Sequence, residues 1–145
     1  MTHIPFKTLP SIRHPQGFDK INERVIDNEI TPIENPDEIV IKDENIKIIF
    51  DYPMRLEAVF DFHHPGGFSR MHLIRFIKDT YRKIYDEEEK TTTMQVLPIN
   101  QRKRLLNRNE TNGKYCIYGH DIDDLYIESI HYDPEFSIVS LGIGS

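Results

Sequence analysis

At 145 residues and a net charge of −6, the chain is long enough for one domain to bury roughly two-thirds of its unfolded surface, so it needs neither metal nor disulfide to fold. Its composition, 38% hydrophobic and 29% charged, holds no apolar run near the roughly 18 residues of a membrane span, and its acidity disfavours nucleic acid as a partner. The N-terminus lacks the apolar core and cleavage site of a secretory signal, and Cys116 is the only cysteine, so the expected setting is reducing, intracellular and cytoplasmic.

Residues 1–36 read as an irregular N-terminal arm, because Pro5, Pro10, Pro15, Pro32 and Pro36 leave no room for long helices. Phe18, Ile21, Val25 and Ile26 allow one short helix over 18–30, and the arm is expected to pack loosely. Residues 37–145 read as a single α+β domain. Its first unit is a hairpin: β-branched runs at 38–42 and 46–50, joined by Asp43-Glu44-Asn45, with Asn45 in a left-handed position. A third strand spans 56–62, where Leu56, Ala58, Phe60 and Phe62 alternate onto one face.

His63-His64-Pro65-Gly66-Gly67-Phe68 then breaks the strand. Ser69 is placed to cap a helix, because its hydroxyl can accept a free N–H of the first turn. Leu73, Ile74, Ile77, Tyr81, Ile84 and Tyr85 recur at helical spacing and form one apolar stripe, so a long amphipathic helix is predicted to about Glu88. Its end is electrostatically odd. Asp86-Glu87-Glu88-Glu89 places four acids where the helix dipole is already negative. Arg82 with Asp86, and Lys83 with Glu87, offset part of this at i,i+4 spacing. The remainder predicts a cationic neighbour, for which the 102–108 block is the candidate.

Residues 90–114 are polar and without a clear period; 94–97 could add a short strand before Pro98. A link of about 25 residues is long for a compact domain, which marks it as mobile or functional. The chain closes with a hairpin: 125–132, the turn Asp133-Pro134-Glu135, and 136–143. Alternation slips in the first of these strands, from Leu125 and Ile127 to Ile130 and Tyr132, and a β-bulge near Glu128 and Ser129 would repair it. The whole predicts a mainly antiparallel sheet with one long helix.

Charge falls in blocks. Residues 100–114 carry Arg102, Lys103, Arg104, Arg108 and Lys114 against Glu110 alone, whereas 117–145 carry six acids and no Lys or Arg. Phe68-Ser69 opening the helix, Tyr85-Asp86-Glu87-Glu88-Glu89 closing it, and Tyr118-Gly119-His120-Asp121-Ile122-Asp123-Asp124-Leu125 before the last hairpin together resemble a small family of uncharacterised proteins of plants and large DNA viruses of protists. The resemblance covers roughly 57–145. It implies a shared fold and carries no mechanism. Twenty-one isoleucines suit an A/T-rich genome, such as a viral one.

The densest polar chemistry lies at 115–124. His120, Asp121 and Asp124 offer imidazole and carboxylate ligands to a divalent metal, with His63, His64 or His131 to complete the shell. The spacing matches neither an EF-hand loop nor a His-Glu-x-x-His helix. The competing reading has Asp121 capping a turn, Asp123 and Asp124 in solvent, and His120 bonded to backbone. Cys116, four residues before His120, would suit a thiolate pair, but reads better as a packed small residue. Gly66-Gly67-Phe68-Ser69 would present free amides to an anion, or simply turn the chain. Tyr118, Tyr126 and Tyr132 suit an interface or a half-buried sheet face.

No complete catalytic motif appears and no cofactor is expected. The reading these features favour is a non-enzymatic interaction or structural module with a protein partner or a second copy. The alternatives are a metal-dependent hydrolase centred on His120, Asp121 and Asp124, and nucleic-acid binding through Arg102, Lys103, Arg104 and Arg108. Arg102 and Arg104 serve equally as candidates for protein contact.

Overall fold

The computed structural model describes residues 2–10, 21–103 and 107–145. In chain order they form β1 (Thr2–His3), β2 (Glu23–Arg24), β3 (Ile39–Ile41), β4 (Asn45–Phe50), β5 (Ala58–His63), β6 (Phe68–Ser69), the long helix α1 (Arg70–Thr91), β7 (Tyr126–Asp133) and β8 (Ile138–Gly144). Single 3-10 turns stand at Ile99–Gln101 and Ile122–Asp124. The molecule is α+β with sheet predominating, and among the described residues no helix is long and apolar enough to cross a membrane.

The main sheet runs β1-β7-β8-β4-β5, with β2 also on β7. Period-two alternation sets the β4–β5 register: Ile46, Ile48 and Phe50 are buried and face Phe62, Phe60 and Ala58, while Lys47 and Asp61 pair at 2.5 Å on the outer side. The predicted strand at 56–62 is thus present, starting two residues later.

The predicted hairpin between 38–42 and 46–50 is not. Both runs are extended, but β3 pairs with β6, and β4 pairs with β5 and, in parallel, with β8. The turn chemistry explains the difference. Asn45 is the first residue of β4, opposite His63, and so is not the left-handed turn residue a closed hairpin needs. Asp43 instead accepts a close bond from the Tyr132 hydroxyl.

The C-terminal hairpin forms as expected, antiparallel between β7 and β8, and its register shifts between Ile127 and Ser129. That bulge lets Leu125, Ile127, Ile130 and Tyr132 all point inward despite their change of parity. Its turn is longer than Asp-Pro-Glu alone. Ser137 takes the left-handed conformation (φ 53°), so β8 starts at Ile138 and Phe136 is left exposed.

Ser69 caps α1 as predicted. Its Oγ accepts the His72 N–H (3.1 Å), and His72 Nδ1 accepts the Ser69 N–H (3.0 Å). All six stripe residues are buried against the sheet, each contributing roughly 1.5–3 kcal/mol of apolar burial. The Tyr81 ring meets Phe50 edge-on at 5.2 Å. The helix continues to Thr91, three residues past the predicted end, because its last turn is held from outside.

The described part of the N-terminal segment carries only the short strands β1 and β2, yet it is not loose. Ile4, Phe6, Ile21, Val25 and Ile33 belong to the core. Among the described residues of the 18–30 stretch there is no helix: β2 pairs with β7, and the Val25 N–H reaches Leu125 O. Glu23 turns inward instead and meets Lys78 of α1 at 2.6 Å, both side chains being 3% exposed. Residues 94–97 form no strand and lead through Pro98 into the first 3-10 turn.

A cleft at the acidic end of the helix

The acid run that closes α1 divides by direction. Glu88 points inward and is fully buried. It accepts the Thr111 hydroxyl (2.6 Å) and the N–H groups of Tyr115 (2.8 Å), Gly113 (3.0 Å) and Ile117 (3.3 Å). Burial pushes its carboxyl up, but the bonds from Thr111 and from the three amides together outweigh this and hold it below the ordinary glutamate value. Gly113 leaves room for this arrangement: a Cβ would sit 2.6 Å from Glu88 Oε1 and would push that carboxylate off its donors. Glu87 accepts Lys114 Nζ (3.0 Å) and the Tyr115 hydroxyl (2.9 Å), and those bonds, Lys114 first, lower its pKa too. Among the described residues, the neighbour that answers Glu87 and Glu88 is therefore the 111–117 loop, through backbone amides, Thr111 and Lys114; the predicted 102–108 block lies partly outside the described residues. Lys83 approaches Glu87 at 3.9 Å as predicted, whereas Arg82 pairs with Asp79 and not Asp86.

By clamping this loop, Glu88 fixes the stretch that follows. Tyr118 N–H bonds to Pro53 O, the Tyr85 hydroxyl donates to His120 O (2.9 Å), and Leu125 is buried after the 3-10 turn. Between that turn, the last turns of α1 and the loop at 96–102 lies a cleft of about 760 Å³. Its apolar wall includes Leu97, Pro98, Ile99 and Ile122, and Ile99 is 62% exposed. One side of the cleft is tied by Arg102, which grips Asp121 with both nitrogens (2.6 and 3.2 Å) and donates from Nε to Leu97 O. Its rim carries Asp86, Glu89 and Asp123, exposed acids that form no ion pair among the described residues.

His120, Asp121 and Asp124 are neighbours, but their lone pairs are engaged. Both Asp121 oxygens face Arg102; Asp124 Oδ2 accepts the Asp121 N–H (3.2 Å) and lies 3.4 Å from His120 Nδ1; His120 Nε2 meets Ser145 Oγ at 3.1 Å. Among the described residues no group of three His, Cys, Asp or Glu side chains is arranged to hold a metal ion. The other histidines engage other partners: His63 bonds Asn45, His64 stacks on His72 with centroids 3.9 Å apart, and His131 bonds Ser129. Cys116 adopts φ 54°, and its thiol points at Gly113 O (3.5 Å). At the glycine turn Glu44 accepts the Gly66 N–H (2.6 Å), so a carboxylate already stands where an anion would bind.

Of the interaction candidates, Tyr132 is buried against Asp43, and Tyr126 is half-buried within β7. Tyr118 is half-buried under the Arg55 guanidinium, 5.0 Å from its ring centre. The Arg102 side chain is 7% exposed, and Arg104 lies outside the described residues. Sequence reasoning missed the cleft itself, because its walls come from five separated stretches of the chain. It also missed the burial of Arg108. The signal it did hold was the unbalanced acid run, which pointed to a cationic neighbour; Lys114 supplies that cation for Glu87, whereas a hydroxyl and backbone amides answer Glu88.

No protein-family model matches the chain, and no curated protein or solved structure matches it.

Proposed function

We propose that this protein is an intracellular, non-enzymatic interaction module whose cleft receives a basic segment of a protein partner. The observation that carries this reading is the rim: Asp86, Glu89 and Asp123 lack ion-pair partners among the described residues and stand beside the exposed Leu97 and Ile99. Exposed apolar side chains next to carboxylates that have no ion pair among the described residues complement a segment that alternates cations with apolar anchors. The pairing of Arg102 with Asp121 weighs against the alternatives, since it withdraws one carboxylate from metal binding and one guanidinium from phosphate binding. We also propose membership of the plant and viral family that the Tyr118-to-Leu125 motif resembles, which implies a shared fold and no mechanism.

The test uses a labelled peptide amide, Lys-Leu-Lys-Leu-Ile, and fluorescence anisotropy. Binding is expected to weaken as salt rises through about 0.1 M, where screening acts over about 10 Å. The triple substitution Asp86→Asn, Glu89→Gln and Asp123→Asn should weaken it roughly tenfold, the scale of three surface charge contacts. Equal affinity in the triple variant, or equal binding of an acidic peptide of the same length, would sink the reading.

A further inference from the structure

Arg108 is 4% exposed, lines the same cleft, and forms no ion pair among the described residues. Its guanidinium lies over the Tyr85 ring, 5.2 Å from the centroid. Its Nε is buried without a hydrogen-bond partner, and Nη2 makes only a long 3.4 Å bond to Thr111 Oγ1. The nearest carboxylate in that network, Glu88, is reached only through Thr111 and already accepts four donors. A guanidinium has five N–H donors in a planar fork, and burying even one of them unmet, as here at Nε, is costly. Arg24 offers the instructive contrast. Its Nε is buried without a partner too, but its side chain is 42% exposed, Nη1 pairs with Asp27 at 3.5 Å and Nη2 donates to Asp123 O at 3.3 Å, so the rest of its fork is met.

From this we infer that Arg108 is an anion subsite at the base of the cleft, and that it takes a single carboxylate attached to an apolar body. The planar fork matches a carboxylate edge. Five carboxylates and three guanidiniums line the cleft, a balance that opposes a dianion such as phosphate about twice as strongly as a single carboxylate, which Arg108 can then hold. Leu97, Pro98 and Ile99 supply the wall for the apolar body. The inference rests on the proposed partner cleft and names what the occupant presents to its base, either a free small acid or the C-terminal carboxylate of the bound segment.

Amide-resolved NMR titration tests it with four probes: hexanoate, hexanamide, and the peptide Lys-Leu-Lys-Leu-Ile as free acid and as amide. The subsite requires one acid to bind at least about tenfold tighter than its amide, the gain expected of charge-assisted bonds, with shifts at Tyr85, Arg108 and Thr111. A preference for hexanoate assigns a free acid; a preference confined to the peptide assigns a chain terminus. Arg108→Gln should erase the preference, while the wild-type comparison stands even where that variant folds poorly. Equal binding of both acids and their amides overturns the subsite. Hexanoate binding with no binding of the peptide amide would leave the subsite standing and remove the partner reading.

Discussion

Glu88 is the residue on which the site depends. Its four donors come from a loop 23 to 29 residues further along, so one carboxylate replaces the secondary structure that this loop lacks. Glu88→Gln keeps the size but turns an N–H₂ toward buried N–H donors. It should cost about 2 kcal/mol at neutral pH, the scale of a buried donor left unmet, as measured by urea unfolding. The pH dependence has a definite sign. Because the folded carboxyl titrates below its ordinary value, its contribution is fully present above the unfolded glutamate pKa of about 4.3 and is lost as pH falls through the lower folded value. The stability gap between wild type and Glu88→Gln should therefore narrow in acid. A gap that stays constant down to pH ~3 would show that Glu88 acts by shape and not by charge. The sequence exposed the anomaly of four acids at a helix end, but not its resolution, since backbone amides leave no mark in a charge pattern.

At the scale of elements, what was legible is what local rules decide. The cap at Ser69, the stripe from Leu73 to Tyr85 and the bulge near Glu128 each follow from a few adjacent residues. Strand pairing does not. β3 and β4 look like a hairpin because they are near in sequence, yet β4 takes β8 as a neighbour through Lys47 and Ile138, far apart in the chain. The contact of β2 with α1 was equally hidden, because a Glu and a Lys 55 positions apart give no periodic signal. That ion pair is buried on both sides, and Lys78 also donates to Asp27 O (2.8 Å) and Glu29 O (3.1 Å). Lys78→Met should destabilise by about 3–5 kcal/mol, because Glu23 is left charged and buried. Adding Glu23→Leu should recover part of the loss, though Thr31 N–H then lacks its acceptor. Urea unfolding of the two single variants and the double variant checks this. Strict additivity would mean that the two side chains do not interact.

Over the whole molecule, the boundary drawn at residue 36 is the point where sequence and structure differ most. The described residues of 1–36 carry only the two-residue strands β1 and β2, but irregular backbone can still carry core side chains. Ile4, Phe6, Ile21, Val25 and Ile33 fill the interior, β1 and β2 cover β7, and Arg70 of α1 donates to Pro5 O (2.7 Å). Removing the segment takes five apolar side chains from the core, at roughly 1.5–3 kcal/mol each, against a total stability of about 5–15 kcal/mol for a domain. It also strips Lys78 of its counter-charge and uncovers β7 along the edge where β1 and β2 lay. A 37–145 fragment should therefore fail to hold a fixed fold, with collapsed amide dispersion in NMR and loss of the near-ultraviolet dichroism of its buried tyrosines. Supplying residues 1–36 as a separate peptide should restore part of that order if the segment acts through these contacts. A fragment that folds cooperatively on its own, with wild-type spectra, would make 1–36 an appendage and move its five apolar residues from the core to an optional surface.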